Sequence, residues 1–118
     1  MLKVHAKKLD NIALLCLEGR IVTGETEVLH SAVQLGSDAR DIILDLSNVT
    51  VVDAHGLGVL LQLREETIAK GIHFKLLNVN KPLSRIFEIT RLNTVFETNS
   101  RFNFSREVAQ RQQMLVAA

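Results

Sequence analysis

The chain has no tryptophan and no tyrosine, and only one proline and one cysteine among 118 residues. Each shortage excludes something. The single Cys16 cannot form an internal disulfide, so no covalent staple is available and a reducing compartment is expected. Five phenylalanines are the only aromatics, too few to supply a platform for stacking nucleobases. Charge is nearly balanced, 14 Lys and Arg against 13 Asp and Glu, for a formal net charge of +1. The basic excess of a nucleic-acid-binding face is therefore missing. No apolar run approaches the roughly 18 residues of a membrane span. The opening, Met1-Leu2-Lys3-Val4-His5, runs into a strand-like pattern without the apolar stretch of a secretory signal. These features lead us to expect a cytoplasmic protein with neither nucleic acid nor direct membrane insertion among its associations.

Catalytic and metal-binding patterns are also scarce. The four histidines, His5, His30, His55 and His73, fall in separate segments without paired-ligand spacing, and with one Cys they make no zinc pattern. There is no G-x-S-x-G nucleophile elbow and no phosphate-cradling G-x-x-x-x-G-K. Gly56-Leu57-Gly58 lacks the third glycine of a dinucleotide fingerprint. Asp45 and Asp53 have no accompanying nucleophile or electrophile. No metal and no cofactor are expected, and the chain reads as something other than an enzyme.

What is present suits one compact unit over 1–118. Hydrophobic residues make up 47% and charged residues 23%, the balance of a soluble globule. A chain of this length buries about two-thirds of its unfolded surface. Residues 2–8 read as a strand, Asp10-Asn11 as a turn, and Asn11 to Val22 as a second strand broken near Gly19. Thr23 is placed to cap a helix whose positive end carries Glu25 and Glu27. Val28, Leu29, Ala32, Val33 and Leu35 recur at helical spacing before Gly36. Ile42 to Leu46 fits a strand buried on both faces, and Ser47 to Val52 reads as a link to the next helix. On that helix Leu57, Val59, Leu60, Leu61, Leu63 and Ile68 share one arc, with Arg64 snorkelling from it. Val59 and Leu63, at its margin, suit either the core or a partner. Ile72 to Val79 reads as a strand, Pro82 to Arg91 as a helix opened by the only proline, and Val95-Phe96 as a short apolar piece. Ser105 can cap a last helix reaching about Val116. Strands alternating with helices predict an α/β layered fold. Its sheet of about four to five strands is mixed but mostly parallel, with about four helices. The first two strands are joined too tightly for a crossover and should pair antiparallel.

The informative segment is Ile43-Leu44-Asp45-Leu46-Ser47-Asn48-Val49-Thr50-Val51-Val52-Asp53-Ala54-His55-Gly56-Leu57-Gly58. Asp53 stands where a helix cap belongs, able to accept amide bonds and to meet the positive helix end. Gly56 and Gly58 each cost about 1 kcal/mol of helix propensity relative to Ala. Either a partner approaches the backbone there, or the sheet or a neighbouring loop does.

This pattern of strand, Asp-Leu-Ser, Asp, Gly-Leu-Gly and helix resembles the signature of STAS domains of the anti-sigma-factor-antagonist type. The likeness extends to Gly19-Arg20-Ile21 and to Leu76-Leu77-Asn78-Val79-Asn80 with Ser84 to Leu92. It continues in Phe104-Ser105-Arg106-Glu107-Val108-Ala109, with residues around Glu97 to Arg101 as extra length in the connection before them. The resemblance implies a binding module that docks an anti-sigma factor of kinase type through Asp53, Ala54, His55, Gly56, Leu57 and Gly58, releasing a sigma factor for transcription. A scaffold or regulatory subunit of a stress-sensing complex or membrane transporter is the alternative, as is a small-ligand or nucleotide sensor. Many family members carry a phosphoacceptor Ser or Thr after the motif Asp. Ala54 occupies that position here and cannot accept phosphate, so a docking surface not switched at this site is expected. His55 suits a polar interface contact, and Thr50 is either a strand-end β-branched residue or another acceptor.

Overall fold

A computed structural model describes residues 1–99. The elements run β1 (Lys3–Leu9), β2 (Ile12–Ile21), α1 (Glu27–Leu35), β3 (Asp41–Val52), α2 (Ala54–Ala69), β4 (His73–Leu77) and α3 (Lys81–Ile89). A short 3-10 turn (Leu92–Thr94) and β5 (Glu97–Asn99) follow. The strands form one sheet in the order β1-β2-β3-β4-β5. β1 and β2 are antiparallel, and every later neighbour is parallel. Asp10, with φ 55°, makes the tight turn between the first two, a conformation that Asp tolerates better than most residues. The single α/β domain with a mixed, mostly parallel sheet agrees with the sequence.

Alternation along the strands sorts the apolar side chains onto two faces. Ala13, Leu15, Leu17, Ile42, Leu44, Leu46, Phe74 and Leu76 belong to the main core, with Leu29 and Val33 of α1, Val59, Leu60 and Leu63 of α2, and Leu83 and Phe87 of α3. Ile12, Leu14, Ile43 and Leu77 form a second buried cluster on the opposite face. β3 is thus buried on both sides, as its unbroken Ile42-Ile43-Leu44 run predicted. Cys16 is half-buried beside the second cluster. Burial, then the Asp45 charge, push its thiol pKa up against an opposing pull from Lys7, which keeps it protonated and poorly nucleophilic.

Several sequence expectations change. β3 does not stop at Leu46: it continues to Val52, with Ser47 to Val52 inside the strand. Two register shifts against β2, at Cys16/Glu18 and Gly19/Arg20, absorb the irregular spacing, and Val49 and Val52 are buried. β2 itself runs through Gly19 unbroken. Thr23 does not cap α1. Thr26 precedes that helix, with no side-chain capping bond. Only Leu29 and Val33 of α1 are buried, and Leu35 is 84% exposed at the helix end. β4 ends at Leu77 because Asn78 adopts φ 58°. Asn80 then caps α3 by accepting the Leu83 N–H at 2.9 Å, with Pro82 in the first turn. Glu97–Asn99 are not extra connecting residues but a strand paired with Lys75–Leu77. Phe96, just before it, is buried with its ring 5.5 Å from that of Phe87 and 6.4 Å from that of Phe74. The helix expected from Ser105 to Val116 lies outside the described residues.

Phe96 anchors the return of the chain to the sheet edge. Phe96→Ala should lower unfolding stability by about 3–5 kcal/mol, the usual cost of deleting a buried aromatic, as read from urea denaturation.

Candidate functional site

Asp53 leaves β3 in an extended conformation (φ −91°, ψ −179°) and begins α2. Its backbone N–H donates to the Ile21 carbonyl at 3.3 Å, so the end of β2 holds it in place. Its Oδ1 accepts the Gly56 N–H at 2.7 Å. Its Oδ2 accepts from Thr23 twice, the backbone N–H at 3.1 Å and the hydroxyl at 3.2 Å. One carboxylate therefore caps a helix and ties down the loop that follows β2. The amides of Gly56 and then Thr23 hold the Asp53 carboxyl below its ordinary value of 3.8.

The next loop is braced as well. Glu25 receives the Met1 amine at 2.9 Å and lies 3.4 Å from the Arg20 guanidinium. The hydrogen bond from the amine lowers the Glu25 carboxyl pKa. Thr23 and Glu25 are thus parts of the site that the sequence did not reveal. The signal available was the Thr23-Gly24 turn at the end of a strand, read there as a helix cap.

The two glycines have different causes. A Cβ on Gly56 would lie 2.0 Å from the Ile21 carbonyl oxygen, inside backbone that cannot yield. Gly56 is needed by the fold. A Cβ on Gly58 would meet nothing within 4 Å, so no neighbour in the described chain explains the propensity lost there.

The six motif residues consequently sort by accessibility. Ala54, His55 and Gly58 are exposed, Asp53 and Leu57 are half-buried, and Gly56 is buried. Leu57 packs against the edge of the main core. Val59 and Leu63 are buried within it, which places them in the core and removes them as partner contacts. Thr50 is exposed, its hydroxyl donating to the Gly19 carbonyl at 3.2 Å.

Asp45 is engaged elsewhere, accepting the Ser47 N–H at 3.0 Å and the Asn78 amide at 3.2 Å. Among the described residues no group of three or more His, Cys, Asp or Glu side chains gathers as metal ligands. No described helix is long and apolar enough to cross a membrane. A helix start attracts anions, but at α2 the Asp53 carboxylate already fills that role. What the arrangement offers is a fixed projection, Ala54 and its exposed neighbours, on a braced double loop.

Comparison with known proteins adds three solved structures and one family model. The model of the STAS domain matches residues 3–110. An anti-sigma factor antagonist from Mycobacterium paratuberculosis superposes with a TM-score of 0.76 at 17% identity, covering 93% of this chain and 92% of that one. A putative anti-sigma factor antagonist from Thermotoga maritima gives 0.74 at 18% identity over 91% and 92%. The anti-sigma factor antagonist SpoIIAA of Bacillus, in its unphosphorylated form, gives 0.68 at 15% identity over 94% and 98%.

Gly56→Ala should unfold or strongly destabilise the protein, whereas Gly58→Ala should raise the melting temperature through about 1 kcal/mol of helix propensity; thermal denaturation of both variants compares them directly. The Asp53 carboxyl titrates lower in the folded than in the unfolded chain. Its stabilisation is therefore full above the ordinary value of 3.8 and lost as pH falls through the lower folded value. The gap in melting temperature between wild type and Asp53→Asn should be wide at neutral pH and shrink in acid below that range.

Proposed function

The chain belongs to the STAS domain family, and from that premise we propose that it is an anti-sigma-factor antagonist. It docks an anti-sigma factor of kinase type through the start of α2, competes for the surface that holds a sigma factor, and so releases that factor for transcription. It works in the cytoplasm as a binding module and catalyses nothing.

The observation that carries this reading is the exposed Ala54-His55 corner, set by the Asp53 latch and flanked by Gly58, which no described residue crowds. A flat partner surface can approach such a corner closely, because no long side chain at 54 or 58 stands in the way. The reactive groups point the same way: the Cys16 thiol pKa is raised, and the Asp45 and Asp53 carboxylates are each committed to structural hydrogen bonds.

Ala54 also bears on regulation. A phosphate after the motif Asp would add nearly two negative charges beside Asp53 and repel the partner. A methyl group matches the unmodified hydroxyl in size and carries no charge. The domain is thereby held in its binding-competent form at this position.

The test uses purified anti-sigma kinases encoded alongside this protein, with binding measured by calorimetry. Wild type should bind one of them, and Ala54→Asp should weaken that binding by about tenfold or more through added charge while leaving the melting temperature unchanged. With ATP, mass spectrometry should find no phosphate on residues 53–58 of wild type, whereas Ala54→Ser should become phosphorylated at 54. Binding that survives Ala54→Asp, or a phosphate on the wild-type loop, defeats the reading.

A further inference from the structure

The two sides of β3 differ beyond Asp45. On one side β2 accompanies it to its end, with Gly19 opposite Val49 and Ile21 opposite Val52. On the other side β4 leaves after Leu77, the partner of Asp45. Among the described residues no strand replaces it along 46–52. Among the described residues, Asn80 bridges this edge and the start of α3: its Nδ2 donates to the Val49 carbonyl at 3.1 Å. Between edge and helix lies a groove of about 140 Å³, lined by 49–52 of β3 and by Asn80, Pro82, Leu83 and Ile86.

The chemistry of the groove specifies its occupant. Its polar side chains are already committed, Thr50 to the Gly19 carbonyl and Asn80 to both Val49 and Leu83. What remains among the described residues is strand backbone, its Val49 carbonyl already accepting from Asn80, on one wall and aliphatic surface on the other. A compact polar ligand finds no convergent groups there. An extended peptide finds backbone partners for its own N–H and C=O groups and a place for an apolar side chain.

Edge composition supports the same conclusion. Sheets blunt edges that must stay unpaired with lysine, charge or proline. The outer strand β1 follows that rule with Lys3, Lys7 and Lys8. The open stretch of β3 breaks it: Val49-Thr50-Val51-Val52 is uncharged and β-branched throughout, the composition that pairs best. Val51 is 47% exposed there. The stretch runs directly into Asp53 and Ala54.

We infer that the open edge of β3 at residues 49–52 takes an extended segment of the docked partner protein by strand addition, with one apolar side chain of that segment held between Val51 and Ile86. This rests on the docking role given above and adds a second, backbone-mediated contact to it.

The probe is a set of short linear peptides, selected by display against the full chain and synthesised with and without N-methylation of alternate amides. Selected peptides should alternate β-branched or aromatic residues with polar ones. Their affinity should fall about tenfold or more with Val51→Lys, with Ile86→Lys and with N-methylation. Val51→Lys lies on exposed surface and serves if Ile86→Lys fails to fold. Failure to select any peptide, equal binding to the lysine variants, or indifference to N-methylation overturns the inference. So does self-association of the chain that Val51→Lys abolishes, since the occupant is then a second copy. Anti-sigma-factor binding lost in Ala54→Asp but untouched by both lysine variants removes this contact and leaves the docking role standing. Peptides held in the groove without any anti-sigma factor binding do the reverse.

Discussion

The close approach of α2 to the end of β2 governs the rest of the site. Gly56 sits against the Ile21 carbonyl with no room for a side chain, and the Asp53 N–H donates to that same carbonyl. With the helix seated so tightly, its first turn has one position and one direction. The Asp53 carboxylate then shares its two oxygens between that turn and Thr23, so the loop after β2 is fixed relative to the helix. A recognition surface built from two loops is normally mobile, and ordering it on binding costs free energy. Here a carboxylate and a backbone contact arrange it beforehand. Asp53 thus acts as a positioning residue, since its oxygens face its own chain, and the exposed positions of the turn are Ala54, His55 and Gly58.

The same geometry commits the carboxylates at the start of α2 to structure. A nucleophile or general base needs an accessible group of tuned pKa beside an open site. At the start of α2 the carboxylates of Asp53 and Glu25 are engaged in bracing. Asp53 is lowered by amide donors and Glu25 by the Met1 amine, the direction that suits permanent ion pairing and hydrogen bonding, not proton transfer near neutral pH.

Much of this was legible from residue patterns, and the failures have local causes. Ile42-Ile43-Leu44 announced a doubly buried central strand, Asp10-Asn11 a tight turn, and Pro82 a helix start, because each depends on neighbours in sequence. The continuation of β3 was hidden, since Ser47, Asn48 and Thr50 look like loop residues unless the bulged pairing with β2 is known. Thr23 was misassigned for a related reason: its partner Asp53 lies 30 positions away. Leu35 fitted the apolar stripe of α1 yet projects past the helix end into solvent, where periodicity carries no information. The paired glycines left a partner and a neighbouring segment equally open, and only spatial neighbours separate Gly56, crowded by Ile21, from Gly58, which no described residue crowds.

The mismatch in strand length connects these observations. β3 has 12 residues and β4 has 5, yet they are aligned at their starts, Asp41 beside His73. All the difference therefore appears at the carboxyl end, where parallel α/β sheets place their binding sites. Had β4 kept pace with β3, its backbone would cover residues 46–52 and close the groove beside α3. Had β3 stopped with β4, the β2 contacts of Val49 and Val52 would be lost, and with them the footing from which Asp53 reaches Thr23. Asn78 ends the shorter strand by turning left-handed, and the bulged pairing with β2 sustains the longer one. The latch and the open edge are thus two consequences of one overhang, and a change that shortened β3 would remove both.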